Sequence, residues 1–540
     1  MVKLRTYSML VLIALLALVY AVGVLVLSYL ELPTATALTV SALFAIAVVG
    51  LQYLIAPYLI DWILKARWVH PSEVSQEFAE WYEQVCRQFR IAMPRLGIVE
   101  DGMPNAFTYG HGPWNGRVVI TRGLLQTLDP DEVKAVVAHE LGHIRHLDFI
   151  MMTLVQALVL VLWTLYMMAR TRDRNSSTLW VVIVAYVGYW LSYFISLLFS
   201  RVREYMADYA SAQIMRSGNP LSRSLVKIAY GLAQTAAVQP EATEAESGKA
   251  KQPATANMRA VGAMGIASVG SIRAAVAWQG DSGQPDHRQF VRVARWDLFN
   301  PWAKIAELVS THPLVAHRVK ALQEYNRLWG EPNEYDFSET RPEQYQKLGR
   351  DLVLFALPWL GALFGLGVAM GMPALGGSWL FLLPASGFLL GEFLRLLMVY
   401  PAGYEPARVI DMLGQVQVSH LSPQPVVLEG ELTGRLEAGF FWANDFILQD
   451  ETGFIAVIYR QPFGALFETL FGVLSAPGLI GKRVRIYGWY RRFGAPFVEI
   501  DRIELLDGSG KVFRCYLRPF ATILTLIGAI GLLLLGFVIG

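Results

Sequence analysis

Apolar runs of about 20 residues, enough for a helix to cross a bilayer, recur along the chain at 8–30, 37–60, 149–169, 179–200, 352–372, 379–400 and 520–540. The first could be read as a signal peptide cut near Ala35-Thr36-Ala37. Its apolar core is too long for that and a second run follows at once, so it reads as an uncleaved anchor. Between the second and third runs the pattern changes. A helix is expected over 75–89, with Phe78, Trp81, Tyr82 and Val85 turned inward. Short β-type runs follow at 95–99, 106–109 and 118–121, punctuated by Gly and Pro. Another helix then opens on a capping signal, Asp129-Pro130 with Glu132 three residues on, and carries Val133, Val136, Val137 and Leu141 as its apolar stripe. From 236 to 289 the chain turns to Ala, Gly, Ser, Glu and Gln, a composition that reads as a mobile loop. Asn300-Pro301 starts a helix through Leu308. After the sixth apolar run, strands are expected at 426–436, 445–448, 454–460, 483–491 and 497–505, with an apolar helix at 463–474 between the third and fourth.

Composition agrees with a membrane protein: 54% of residues are hydrophobic and 17% charged, against about 25% charged in soluble domains. Lys3 and Arg5 precede the first apolar run, Lys65 and Arg67 follow the second, and the turn between them has neither Lys nor Arg. The positive-inside rule puts both ends of this hairpin, and the region after it, in the cytoplasm. Arg170, Arg172 and Arg174 run against that orientation. Cys86 and Cys515 fit no metal spacing and read as free thiols in a reducing compartment. A net charge of +2 gives no hint of a nucleic-acid partner.

The chemistry concentrates at Ala138-His139-Glu140-Leu141-Gly142-His143. On a helix, His139 and His143 lie one turn apart on one face. Two imidazoles so spaced can hold one Zn²⁺ while Glu140 reaches a water on the same ion. His146 rotates away from that face and reads as a surface histidine. The metzincin pattern is excluded, since it needs Gly at 146 and His at 149, where this chain has His146 and Phe149. The third apolar run begins just after the motif, so the motif helix is expected to continue into the membrane with Asp148 at the boundary. Glu204 lies a few residues beyond the fourth run, as His143 lies a few before the third. An antiparallel hairpin of the two runs would set Glu204 level with the histidines, which makes it the candidate third ligand. Asp208, one turn on, could orient an imidazole. The competing reading of Glu204 is a surface charge paired with Arg201 or Arg203.

HELGH, the later Arg203-Glu204-Tyr205-Met206-Ala207-Asp208 and Pro104-Asn105-Ala106-Phe107 together resemble the integral-membrane zinc metallopeptidases that include HtpX and the type I CaaX prenyl protease. The resemblance covers roughly 72–322 and the early spans. It implies one zinc per chain held by His139, His143 and Glu204, with Glu140 as general base and Asp208 in support. Asp148 matches an acidic residue that follows the motif at that distance. Thr311-His312-Pro313, followed by Arg318, matches a further family element whose histidine lies near the active site, and Asn105 falls in the early motif. The implied fold is an α-helical polytopic membrane protein with a zincin-like α+β metallopeptidase domain. The five C-terminal strands with their helix resemble a small all-β, OB-like barrel. Domain divisions follow: a transmembrane hairpin at 1–71, the peptidase domain at 72–350, a second hairpin at 351–400, the barrel at 410–512 and a last helix at 519–540. Such a protein would cut peptide bonds in membrane or membrane-associated polypeptides at the cytoplasmic face of a prokaryotic plasma membrane, in protein quality control. Processing of lipidated substrates is the alternative within the family, and a non-catalytic scaffold recruiting partners is the alternative outside it. Acids in the barrel balance its bases, which favours a protein partner over nucleic acid.

Overall fold

The computed structural model of the chain describes residues 13–14, 17–18, 21–22, 34–171, 179–238, 287–337, 344–372, 376–435 and 445–539. Most of the first apolar run, the arginine-bearing 172–178 and most of the expected 236–289 loop lie outside the described residues. The described residues fall into two compact units, one running to Leu232 and taking up 305–337, the other holding 287–304 and the chain from 344 onward.

In the first unit, helix α1 (Thr34–Leu64) ends where Lys65 takes a left-handed backbone conformation, φ 50°. Strand β1 (Arg67–Val69), absent from the sequence reading, follows directly. It edges a four-stranded sheet in the order β1-β2-β4-β3, with β2 (Arg95–Val99), β3 (Ala106–Gly110) and β4 (Gly116–Thr121) at the three expected runs. β2 and β4 run parallel, and the two outer pairs are antiparallel. Helix α2 (Gln76–Phe89), capped by the Ser75 hydroxyl, buries Phe78, Tyr82 and Val85 in the same core. After the short α3 (Arg122–Thr127) comes α4 (Pro130–Arg145), the motif helix. Its capping box forms, and the Glu132 carboxylate also takes Lys227 at 2.9 Å and Arg223 at 3.0 Å from α7 (Asn219–Val238). Those two cations make the full burial of Glu132 tolerable.

α4 and α5 (Asp148–Thr171) are not the single expected element: their axes bend by 58° at His146-Leu147. Leu147 adopts φ 60°, a left-handed conformation that ends the α-helical run for a bulky side chain only at a cost. The turn is held from α6 (Leu179–Met215), whose Arg203 donates to the His146 carbonyl and pairs with Asp148. His146 is accordingly buried, not on the surface. α5 and α6 pack through Val155, Phe199, Met151, Leu158 and Ile195. α6 continues past its apolar part to lie along α4, and here Gly142 matters: a Cβ at that position would stand 3.0 Å from the Ala210 methyl and 3.2 Å from the Ala207 Cα. The small residue lets the helices that bear the histidines and Glu204 approach closely.

In the second unit, α8 (His287–Phe299), which falls within the expected peptidase domain 72–350, groups with the C-terminal part of the chain. The reason is specific bonding: Trp296 and Asn300 donate to the carbonyls of Val416 and Val418, and Arg492 pairs with the Asp297 carboxylate at 2.7 Å. Helix α9 (Pro301–Leu308) leads back to the first unit, where α10 (Val315–Trp329) lies. α11 (Leu348–Gly371) and α12 (Trp379–Val399) cross at paired glycines, where a Cβ on Gly361 would fall 2.1 Å from the Gly387 carbonyl. Next come β5 (Glu405–Pro406), the short α13 (Val409–Leu413), and then β6 (Gln424–Arg435), β7 (Asp445–Asp450) and β8 (Gly453–Ile458). α14 (Gly464–Leu474) separates these from β9 (Arg483–Phe493) and β10 (Ala495–Leu505). β6 pairs with both β7 and β9, β8 lies parallel to β10, and β10 pairs with β9, which closes a five-stranded barrel. β5 and β11 (Val512–Arg514) extend its edges, and α15 (Leu517–Ile539) ends the described chain, packing on α12.

Among the described residues five helices are long and apolar enough to cross a membrane, or six if the bent α4–α5 pair counts as one span. Their outward faces carry large exposed apolar side chains, Phe364, Phe381 and Phe537 among them, each at least 75% exposed. Water would not tolerate that much apolar surface and lipid would. The chain is a multi-pass membrane protein.

Candidate metal centre

α4 presents His139 and His143 on one face, with the Nε2 atoms 3.1 Å apart and the rings nearly perpendicular. Glu204 arrives from α6, its carboxylate 3.7 Å from His139 Nε2 and 3.5 Å from His143 Nε2. One ligand atom from each of the three lies within 4.8 Å of the others. Glu204 Oε2 is buried and makes no hydrogen bond among the described residues. Two imidazole nitrogens facing each other beside a buried carboxylate oxygen that makes no hydrogen bond form a donor set suited to a divalent cation.

Each histidine has its other nitrogen on a carboxylate. His139 Nδ1 is 3.0 Å from Asp208, one turn beyond Glu204, and His143 Nδ1 is 2.6 Å from Asp148. Contacts of this kind fix the ring orientation and tautomer. Arg318 on α10 closes the far side. It grips Asp208 with two bonds of 2.9 and 2.6 Å and lies 3.3 Å from Glu204. Burial opposes its charge, but Asp208 and Glu204 outweigh that and raise its pKa further. His312 Nε2 stands 3.6 Å from Glu204, and burial lowers the pKa of its ring. The segment bearing His312 is fastened to α6 by Arg201, which donates to the carbonyls of Glu307, Leu308 and Ser310. The sequence offered Arg201 and Arg203 as partners for Glu204. The structure instead sets Arg201 on these carbonyls and Arg203 on Asp148.

Glu140 is buried next to the cluster and accepts a 3.0 Å hydrogen bond from the Thr108 hydroxyl on β3. α4, with Asp131, Glu132, Lys134 and Arg145 among its residues, is the polar segment that precedes the apolar α5. Burial, reinforced by the charge of Glu204, pushes Glu140 up to about 7, and burial takes His139 down to about 4. The contact with Thr108 was missed in the sequence, yet the strand's alternation holds its signal. Phe107 and Tyr109 turn to one face, packed with Leu64 and Val119, which leaves Ala106 and Thr108 for the α4 side. Asn105 is not brought into the cluster: its side-chain oxygen accepts from the Ala106 amide, and its backbone bonds with Thr121.

A His–His–Glu donor set with His139 and Glu204 buried and His143 partly exposed, beside a buried glutamate in a chain built on apolar spanning helices, defines a membrane metalloprotease. Residues 73–326 match the model of peptidase family M48. A protease HtpX homolog of Methanothermobacter thermautotrophicus is 35% identical over 200 residues, 37% of this chain and 77% of that protein. Another, from Thermoplasma acidophilum, is 32% identical over 242 residues, 43% of this chain and 76% of the relative. The crystal structure of S. mikatae Ste24p, 15% identical with a TM-score of 0.32 over 60% of this chain and 66% of that one, is too loose a likeness to define a shared fold. The chain belongs to peptidase family M48.

Proposed function

We propose that the chain is a zinc endopeptidase acting on membrane proteins or membrane-associated polypeptides at the membrane surface. The supporting observation is the convergence of His139, His143 and Glu204 beside Glu140, at the point where α4 and α6 meet the apolar stretches of α5 and α6. His139, His143 and Glu204 would hold the ion, which when bound makes water a stronger acid and polarises a carbonyl. Glu140 accepts the proton of the attacking water and returns it to the leaving amine, a cycle that suits a carboxyl lifted towards neutrality. Thr108 holds that carboxyl in place, and Asp208 and Asp148 keep the two imidazoles turned to the ion. His312, next to Glu204, is available to a bound substrate or to developing negative charge. β3 ends the sheet on the Glu140 side, and an extended substrate is expected to lie along it by strand addition. The basic residues around the first two apolar runs support a cytoplasmic active site, and the resemblance of the HELGH and Arg203–Asp208 motifs to HtpX favours a prokaryotic plasma membrane and a part in protein quality control.

The barrel is read as OB-type because its third and fifth strands lie parallel and its helix falls between the third and fourth. Its groove residues pair acids with bases, as in Glu429–Arg485 at 2.6 Å, which favours a protein partner over nucleic acid.

Purified protein is expected to carry a single zinc ion per chain, to lose cleavage of a membrane-protein substrate on chelation, and to regain it with stoichiometric zinc. Full cleavage by protein that elemental analysis shows to be metal-free would refute the reading. Asp148→Asn is expected to weaken zinc binding by about 10–100-fold, measured by competition with chelators of graded affinity. An unchanged affinity would mean that the contact with His143 does not orient the ring.

A further inference from the structure

At the membrane-side end of the second unit a cleft of about 520 Å³ opens between the end of α12, the start of α15 and the β10–β11 edge of the barrel. Its apolar side is made of Leu396, Leu397 and Ile523, the last two more than half exposed. Its other side carries Arg502, Arg514 and Arg518 against one acid, Asp501. Arg502 is balanced by Asp501 and Glu504, at 3.5 and 3.1 Å. Arg514 is exposed, and neither it nor Arg518 forms an ion pair with any described residue. The Arg518 guanidinium rests over the rings of Tyr400 and Trp489, at 5.0 and 4.9 Å. Aromatic rings at the ends of spanning helices mark the headgroup level of a bilayer.

We infer that this cleft binds an anionic phospholipid, its phosphate held by Arg514 and Arg518 and its acyl chains laid along the exposed faces of α12 and α15. The two arginines leave an uncompensated positive charge where lipid phosphates lie, and the apolar wall below them faces hydrocarbon. A soluble anion would use only the basic side. A lipid uses both.

The test uses the full chain in neutral detergent, titrated with phosphatidylglycerol or with phosphatidylcholine of the same acyl chains, with bound lipid read by native mass spectrometry. Phosphatidylglycerol is expected to bind at least about fivefold more tightly, since one basic residue near the surface is worth roughly that factor. Arg514→Gln should lower its affinity about fivefold, and Arg514→Gln/Arg518→Gln should abolish the preference. Arg514→Lys/Arg518→Lys should retain it. The single Arg514 variant alters an exposed side chain and keeps the test interpretable if loss of the Arg518 ring contacts unsettles the fold. Equal binding of the two lipids by the parent, or undiminished preference in the double Gln variant, would overturn the assignment. So would inorganic phosphate binding with the same arginine dependence and displacing the lipid, because the site would then serve a free anion.

Discussion

Glu140→Gln is expected to lower hydrolysis of a membrane-protein substrate by at least about 10²–10⁴-fold, the contribution of a positioned proton-transfer group, with zinc content unchanged. Glutamine has nearly the same shape as glutamate and still offers an oxygen to the Thr108 hydroxyl, 3.0 Å away in the parent. It removes charge from a position where burial already disfavours charge. Neither the fold nor the His139–His143–Glu204 donor set has a reason to rearrange. What disappears is the capacity to take a proton from water. Elemental analysis and a cleavage assay on the same preparations separate the outcomes. Zinc retained with activity lost supports the base. Zinc retained with activity unchanged would assign the proton transfer to another group and make His312 the next to test. Loss of zinc from the variant would show that Glu140 helps to hold the metal site together, contrary to its place beside the donor set.

What could be read from the sequence divides along a physical line. Features set by neighbours along the chain were legible. The capping signal at Asp129, Pro130 and Glu132 starts α4 where it pointed, and the HExxH spacing puts both imidazoles on one face because helical pitch is invariant. Glu204 and Asp208 could be placed by counting rise along two antiparallel runs, and they do meet the histidines. Contacts made across the fold were not legible. Nothing local in Thr108 points to Glu140, 32 residues on. Nor does the sequence around Leu147 announce the bend, which depends on Arg203 arriving from α6 to hold the turn. The surface position expected of His146 fails for the same reason: a straight helix would carry it there, and the bend buries it. The grouping of α8 with the barrel rests on Trp296, Asn300 and Asp297 finding partners more than 100 residues away.

Arg318→Leu is expected to destabilise the fold by about 3–5 kcal/mol, the usual consequence of stripping one partner from a buried ion pair. Arg318 is 1% exposed and Asp208 fully buried. The guanidinium supplies Asp208 with two bonds and lies against Glu204 as well. Leucine would leave Asp208 with His139 as its remaining polar contact in the cluster, and the imidazole there is itself discouraged from carrying charge. Zinc affinity should fall too, since an unanchored Asp208 orients His139 less firmly. Arg318→Lys separates charge from geometry: a point charge is kept and the two-pronged grip is lost, so an intermediate loss is expected. The decisive comparison adds Asp208→Asn. If the loss in Arg318→Leu comes from an uncompensated carboxylate, Arg318→Leu/Asp208→Asn should recover much of the lost thermal stability in detergent, giving a coupling of about 0.5–3 kcal/mol or more between the two sites. Additive losses would instead mean that Arg318 acts by filling space between α6 and α10. Asp208 would then owe its burial to His139 alone, and the order of the metal site would rest on the histidine–carboxylate contact without a cation behind it.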